Sequence, residues 1–198
     1  MLNNRAIILA AGSSKRMGSQ KMLLPFREST ILESVIQNVL MSEVDSVLVV
    51  LGANHEKIGK VIDPLPLETV YNQDHESGML SSVRCGFQAL PEETGTVLVF
   101  LGDQPGIPPH VTNSVIDAYN ESLYGIVIPV YNHRRGHPLL VDFKYKRDIV
   151  KLDLENGLRS LMHHFPDDVL EVEVDEPGIL MDIDTREDYS NATKISNR

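Results

Sequence analysis

Ile7, Ile8, Leu9, Ala10 and Ala11 form a run that is apolar at every position, so a strand built from them has no face to give to water. Such a strand belongs in the middle of a sheet with helices on both sides. Further short apolar runs follow it, and the segments between them carry helical spacing. Strands are expected near 5–11, 46–51, 67–71, 96–101, 125–130, 138–141 and 169–174, with a last short one at 179–183. Helical periodicity falls at 30–41, 56–62, 79–90, 109–120, 144–151 and 158–165. This alternation predicts an α/β fold of three layers, with a doubly wound, mostly parallel sheet that is mixed at one edge. A chain of 198 residues with 42% hydrophobic content can bury one sizeable core, so 1–198 reads as a single domain with a frayed polar tail at about 191–198.

The single cysteine, Cys85, excludes an internal disulfide and a cysteine-rich zinc site. No signal-like or membrane-length apolar stretch opens the chain, which reads as cytoplasmic and free of membrane contact. The net charge of −10 argues against a nucleic-acid-binding face, because such proteins display basic surface to the phosphate backbone. A polyanionic substrate would have to be drawn in by a local cluster of cations. His55, His75, His110, His133, His163 and His164 show no metal-binding spacing.

A local cluster of that kind follows the first strand. Gly12 and Gly18 let the backbone approach a phosphate closely, while Lys15, Arg16 and Lys21, the last expected as an exposed loop lysine, offer positive charge. The composition suggests a nucleoside triphosphate. It is not a P-loop, because five residues separate Gly12 from Gly18 and Ser19 follows in place of lysine. A dinucleotide fingerprint would need glycine where Ser14 stands.

The segment resembles the L-A-[AG]-G-x-S-x-R-M-G-x-x-K-x-L-L-P signature of the MobA-like nucleotidyltransferase family. Leu9, Ala10, Ala11, Gly12, Ser14, Arg16, Met17, Gly18, Lys21, Leu23, Leu24 and Pro25 fill every fixed position. The resemblance implies the Rossmann-like fold of the nucleotide-diphospho-sugar transferases. It also implies nucleotide contacts from Leu9, Ala10, Ala11, Gly12, Ser13, Ser14, Arg16 and Lys21. Arg16 and Lys21 would be catalytic, the first holding the leaving pyrophosphate and the second stabilising charge near the α-phosphoryl group.

Three other segments carry chemistry. The apolar run 97–101 ends in Gly102-Asp103-Gln104-Pro105, where Asp103 either caps the turn or holds Mg²⁺ against nucleotide phosphates. Gly102, Asp103 and Pro105 match the family's G-D-x-P metal motif, and the resemblance makes Asp103 catalytic and the first metal ligand. The stretch 181–188 resembles the family's D-[IV]-D-T-P-E-D segment with Arg186 in place of proline. Read as a strand, it sets Asp182 and Asp184 on one face; the resemblance, by the position before the T-x-E-D turn, makes Asp184 the preferred second metal ligand and Asp182 the reserve. Read otherwise, Asp184 is a helix N-cap and Asp182 is solvated. In 72–86, Gly78, Ser82, Val83 and Gly86 are similar to the family's G-x-x-x-S-[VL]-x-x-G motif, which implies base or ribose contacts at Gly78 and Ser82; without the family, Ser81 and Ser82 are first-turn helix residues after an N-cap at Ser77. Arg135, Gly136 and His137 lie in a stretch like the family's G-x-[RG]-G-H-P-[VL]-L, which places them on the acceptor side, while Arg134 reads as part of a solvated hairpin.

The resemblance implies nucleotidyl transfer with Mg²⁺ as cofactor, an acceptor phosphate attacking the α-phosphorus of a nucleoside triphosphate as pyrophosphate leaves. The Ala10-Ala11-Gly12 form is similar to family members that transfer CMP from CTP to molybdenum cofactor, the molybdopterin-type acceptor, and a molybdoenzyme would then be the client. Guanylyl transfer from GTP, cytidylyl transfer to another phosphorylated acceptor such as methylerythritol phosphate, and non-catalytic carriage of the cofactor are the competing expectations.

Overall fold

The structure is a computed structural model and describes residues 3–13, 17, 20–153 and 157–196. Strand β1 (Asn4–Ala10) is buried almost throughout and pairs in parallel with β4 (Ser46–Leu51) on one side and β6 (Thr96–Leu101) on the other. Beyond β4 lies β5 (Glu68–Tyr71), also parallel. On the far side of β6 come β9 (Leu139–Asp142), β7 (Ile126–Tyr131) and β10 (Val169–Glu173), giving the order β10-β7-β9-β6-β1-β4-β5. A two-residue strand β8 (Arg134–Arg135) folds back on the end of β7. A separate small ribbon joins β2 (Pro25–Phe26) and β3 (Ser29–Thr30).

The antiparallel member, β9, lies between β6 and β7 and is antiparallel to both, so the mixed part of the sheet is internal and not at an edge as expected. Its composition explains the position. Leu139, Leu140 and Val141 are all buried, and a strand apolar on both faces cannot be left at a rim. The chain reverses just before it through Asn132 and His133, both in the left-handed region at φ 49° and 61°.

Alternate residues of the strands serve two cores. Ala6, Ile8 and Ala10 of β1 face helices α1 (Ile31–Leu40), α2 (His55–Ile62) and α4 (Pro109–Asn120). Ile7 and Leu9 face α3 (Met79–Ala89), α5 (Lys146–Lys151) and α6 (Arg159–His164). Helix α1 starts at a capping box: the Glu33 N–H donates to Thr30 Oγ1 at 3.3 Å and the Thr30 N–H donates to the Glu33 carboxylate at 2.9 Å.

The segment expected as a strand at 179–183 is instead a 3₁₀ turn at Pro177–Leu180 followed by irregular chain. Pro177 has no N–H for a ladder, and Gly178 lies so close to Gly106 that a β-carbon on it would sit 2.1 Å from the Gly106 carbonyl oxygen. Ile179 packs with Ile107 and Val111 there. Helix α7 (Arg186–Ser196) then continues through the residues expected to fray. Tyr189 and Ala192 pack against Phe26, Ile31 and Ile183, and the Tyr189 hydroxyl donates to the Pro25 carbonyl at 2.6 Å. No helix among the described residues is long and apolar enough to cross a membrane.

Candidate active site

The carboxyl ends of β1, β4, β5 and β6 open onto one edge of the sheet, and the start of β9 joins them because it runs the other way. At this edge the Gly102 N–H donates to the Leu9 carbonyl at 3.0 Å. A β-carbon on Gly102 would stand 2.9 Å from that same oxygen, so only glycine allows β6 to end this close to β1. Asp103 is thereby carried past the end of the strand.

Lys21 occupies a 3₁₀ turn (Lys21–Leu23) and is buried, not exposed as its place in a polar loop predicts. Its ammonium lies 2.5 Å from Asp103 Oδ2 and 2.8 Å from Asp184 Oδ1. Burial by itself would lower the lysine's pKa, but the two carboxylates outweigh it and hold the group above its ordinary value, so Lys21 is charged at neutral pH. The Ile183 N–H donates to the Asp103 carbonyl at 3.1 Å, which locks the 182–184 segment against the end of β6. Asp184 is not the cap of α7. Thr185 and Asp188 fill that role, the Thr185 N–H donating to Asp188 at 2.7 Å and the Asp188 N–H donating to the Thr185 hydroxyl at 3.1 Å. The Asp184 carboxylate is left to face Lys21.

Asp182 takes a different partner. Its carboxylate accepts a hydrogen bond from Nε2 of Gln104, a buried residue that the spacing did not single out because it fills the variable place in Gly-Asp-x-Pro. Asp182 is exposed as a residue, while its carboxyl is partly withdrawn from water against Gln104. Desolvation there raises its pKa, the Gln104 hydrogen bond opposes the rise and the negative charge of Asp103 adds to it. Gln104 Oε1 is buried with no partner among the described residues. His137 reaches the same edge, with Nδ1 3.2 Å from the Val99 carbonyl oxygen. Burial lowers its pKa, so the ring is neutral; a carbonyl can only accept, which puts the proton on Nδ1 and leaves Nε2 an acceptor.

The other residues marked by the sequence are placed unevenly. Ala10 and Ala11 are buried at the end of β1, Leu9 beside them, and Gly12 and Ser13 are exposed beyond it. Ser14 and Arg16, with Lys15 and Gly18, lie outside the described residues. Ala11 packs against Gly52, where a β-carbon would meet the Ala11 carbonyl oxygen at 2.6 Å and the β-carbons of Ala11 and His75 at 2.7 Å. Gly78 holds φ +99° at the start of α3, a conformation suited to glycine. The buried Ser82 hydroxyl accepts from Asn72 Nδ2 at 3.0 Å; Asn72, which spacing also failed to mark, contacts Ser81 at 2.9 Å and accepts from the Asp74 N–H at 3.0 Å. Gly136 is buried where a β-carbon would meet the Ile179 carbonyl oxygen at 2.5 Å. Arg135 is turned toward Glu171 of β10, at 2.6 Å, and lies against Met162 instead of joining the Lys21 cluster.

Among the described residues no group of three or more His, Cys, Asp or Glu side chains is placed to hold a metal. Asp103 and Asp184 nevertheless converge on one cation, and carboxylate oxygens are the donors a hard divalent ion such as Mg²⁺ takes. The residues fit such an ion.

The chain is similar to several known proteins. A protein from Escherichia coli (strain K12) described as molybdenum cofactor cytidylyltransferase is 28% identical over 186 residues, 94% of this chain and 93% of its own length. One from Paenarthrobacter nicotinovorans described as nicotine blue oxidoreductase is 32% identical over 142 residues, 69% of each chain. A solved nucleotidyl transferase from Methanothermobacter thermautotroptrophicus superposes with a TM-score of 0.86 at 22% identity, covering 98% of both chains, and so shares the fold. Residues 6–169 match the family described as the MobA-like NTP transferase domain, and the chain belongs to that family.

Proposed function

We propose that the protein transfers CMP from CTP to the phosphate of a molybdopterin-type molybdenum cofactor, with release of pyrophosphate and with Mg²⁺ held by Asp103 and Asp184. The observation that carries this reading is the convergence of those two carboxylates on Lys21 at the sheet edge where β1 and β6 end. The similarity to the cytidylyltransferase over nearly the whole chain supports the choice of nucleotide and acceptor.

An oxygen of the acceptor phosphate attacks the α-phosphorus in line, the bond to the β-phosphate oxygen breaks, and pyrophosphate leaves with that electron pair. The nucleophile is already anionic, so no general base is required. Catalysis then consists of positioning and charge neutralisation. Mg²⁺ would supply charge neutralisation on the phosphate oxygens. Lys21 adds a positive charge beside the α-phosphoryl group, and Arg16 holds the leaving pyrophosphate. Gly78 and the Asn72–Ser82 pair shape the base side of the cleft. Asp182 serves as a reserve ligand, and neutral His137 offers its Nε2 to an N–H or O–H of the acceptor molecule; Gly136 lets the chain pass Ile179, and Arg135 would reach the acceptor only by leaving Glu171.

Pyrophosphate release from CTP, GTP, ATP and UTP, each with Mg²⁺ and with or without molybdenum cofactor, tests the reading. Release with CTP that requires the cofactor is the expected result. Preference for GTP would make the protein a guanylyltransferase. Release with CTP only on a different phosphorylated acceptor, methylerythritol phosphate included, would replace the cofactor as substrate. Stoichiometric cofactor binding with no release from any nucleotide would make it a carrier that delivers the cofactor to a molybdoenzyme.

A further inference from the structure

Asp103 and Asp184 bring two negative charges together on side chains that are only 15% and 30% exposed. Left without a cation, they would repel each other and lose the hydration they have in the unfolded chain. The Lys21 ammonium meets both needs at once, at 2.5 and 2.8 Å. Both contacts pair an ammonium with a carboxylate, the kind of hydrogen bond that charge strengthens, and Lys21 is buried. The same two carboxylates are the donors that fit a divalent cation. An ion bound to them would stand about 2.1 Å from their oxygens. A second full positive charge hydrogen-bonded to the same pair would then face it across a few ångströms in a site with little water to screen them.

We infer that Lys21 is the resident counter-ion of the metal-free site and that a divalent cation takes Asp103 and Asp184 by exchange, driving the lysine ammonium off the carboxylates. The inference rests on the metal-binding part of the function proposed above. The displaced ammonium stays tethered to the turn that follows the Gly12 loop, so metal entry delivers a positive charge to the phosphate side of the cleft. The lysine thus acts in sequence, first holding the empty site together and then meeting the triphosphate. Metal affinity and metal-free stability must move in opposite directions when it is removed.

Mn²⁺ binding to the full chain without nucleotide, followed by electron paramagnetic resonance or calorimetry, reads the exchange directly and needs no turnover. Lys21→Met should bind Mn²⁺ about tenfold or more tightly than the wild type, because the competitor for its ligands is gone. The metal-free variant should melt at a lower temperature than the wild type, and Mn²⁺ should return it to the metal-bound wild-type value. Lys21→Arg keeps the charge and can bridge both carboxylates, so it should fold like the wild type and bind Mn²⁺ more weakly. Equal affinity in wild type and Lys21→Met, or equal affinity in wild type and Lys21→Arg should the Met variant fail to fold, overturns the exchange while leaving the metal site standing. Absence of Mn²⁺ binding in every form, with no difference from Asp103→Asn, overturns the metal site itself.

Discussion

Asp103→Asn keeps the shape of the side chain that Lys21 touches at 2.5 Å and removes its charge. Turnover in the pyrophosphate assay should fall by about a hundredfold or more, because the variant loses one of the two carboxylates proposed to hold the metal at the reacting phosphates, while circular dichroism stays native. Gly136→Ala should act in the opposite way, on stability first. Its β-carbon would be forced to 2.5 Å from a backbone oxygen of Ile179, and thermal or urea unfolding should show a loss of about 1–3 kcal/mol. At this scale the sequence marks residues whose type is itself unusual. Asp103 stands where a carboxylate ends an apolar run, which leaves a cap and a metal ligand both open, and the family resemblance is what favours Asp103 and Asp184 as ligands. The burial of Lys21 was not legible, because a lysine becomes buriable only when residue 184 is brought to it from 163 positions away. Gln104 was equally hidden. A glutamine in a turn carries no pattern until its contact with Asp182 is seen.

Elements were readable where composition leaves one option. The β1 run is apolar on both faces and could only be internal, and the observed strand starts and ends within one residue of its expected bounds. The 177–183 stretch defeated the same reasoning, because what prevents a strand is the contact between Gly178 and Gly106 rather than anything in its own periodicity. Thr30→Ala should remove half of the capping box and cost about 1 kcal/mol, measured by chemical denaturation. A second prediction concerns Asp168, which ties the start of β10 to β7 and to the turn before α5. Its carboxylate accepts from the Gly125 N–H at 2.8 Å and from the Tyr145 hydroxyl, and pairs with Lys144 at 3.0 Å. Burial tends to raise its pKa, but the hydrogen bonds from Tyr145, Gly125 and Lys144 prevail and hold it below the ordinary value. Folding therefore favours the ionised form. The contribution is present above about pH 4, where the unfolded carboxyl ionises, and is lost as the pH falls through the lower folded value. Asp168→Asn should be less stable than the wild type by about 1–2 kcal/mol at pH 7, and the gap should close in denaturation curves taken at successively lower pH below 4.

At the level of the whole molecule, the two cores are separated by the sheet itself. Phe87 belongs to the face covered by α3 and Phe100 to the face covered by α1 and α4, and both are fully buried. Phe87→Leu and Phe100→Leu should therefore destabilise independently, the double variant matching the sum of the singles to within about 0.5 kcal/mol in urea unfolding. The three-layer arrangement was legible from strand and helix alternation, whereas the sense and place of β9 were not, since direction depends on how β7 reverses. The sheet also divides by chain order: β1, β4, β5 and β6 come from the first 101 residues, and β7, β9 and β10 from 126–173. Asp184 follows all of them. A ribosome thus delivers every strand of the main sheet before it delivers the second carboxylate, and the nascent protein passes through a stage in which its scaffold is complete while Lys21 has one of its two partners. The Asp103–Lys21–Asp184 cluster is completed only with the docking of Ile183 and α7, so the fold builds its own delay between taking shape and balancing its buried charges.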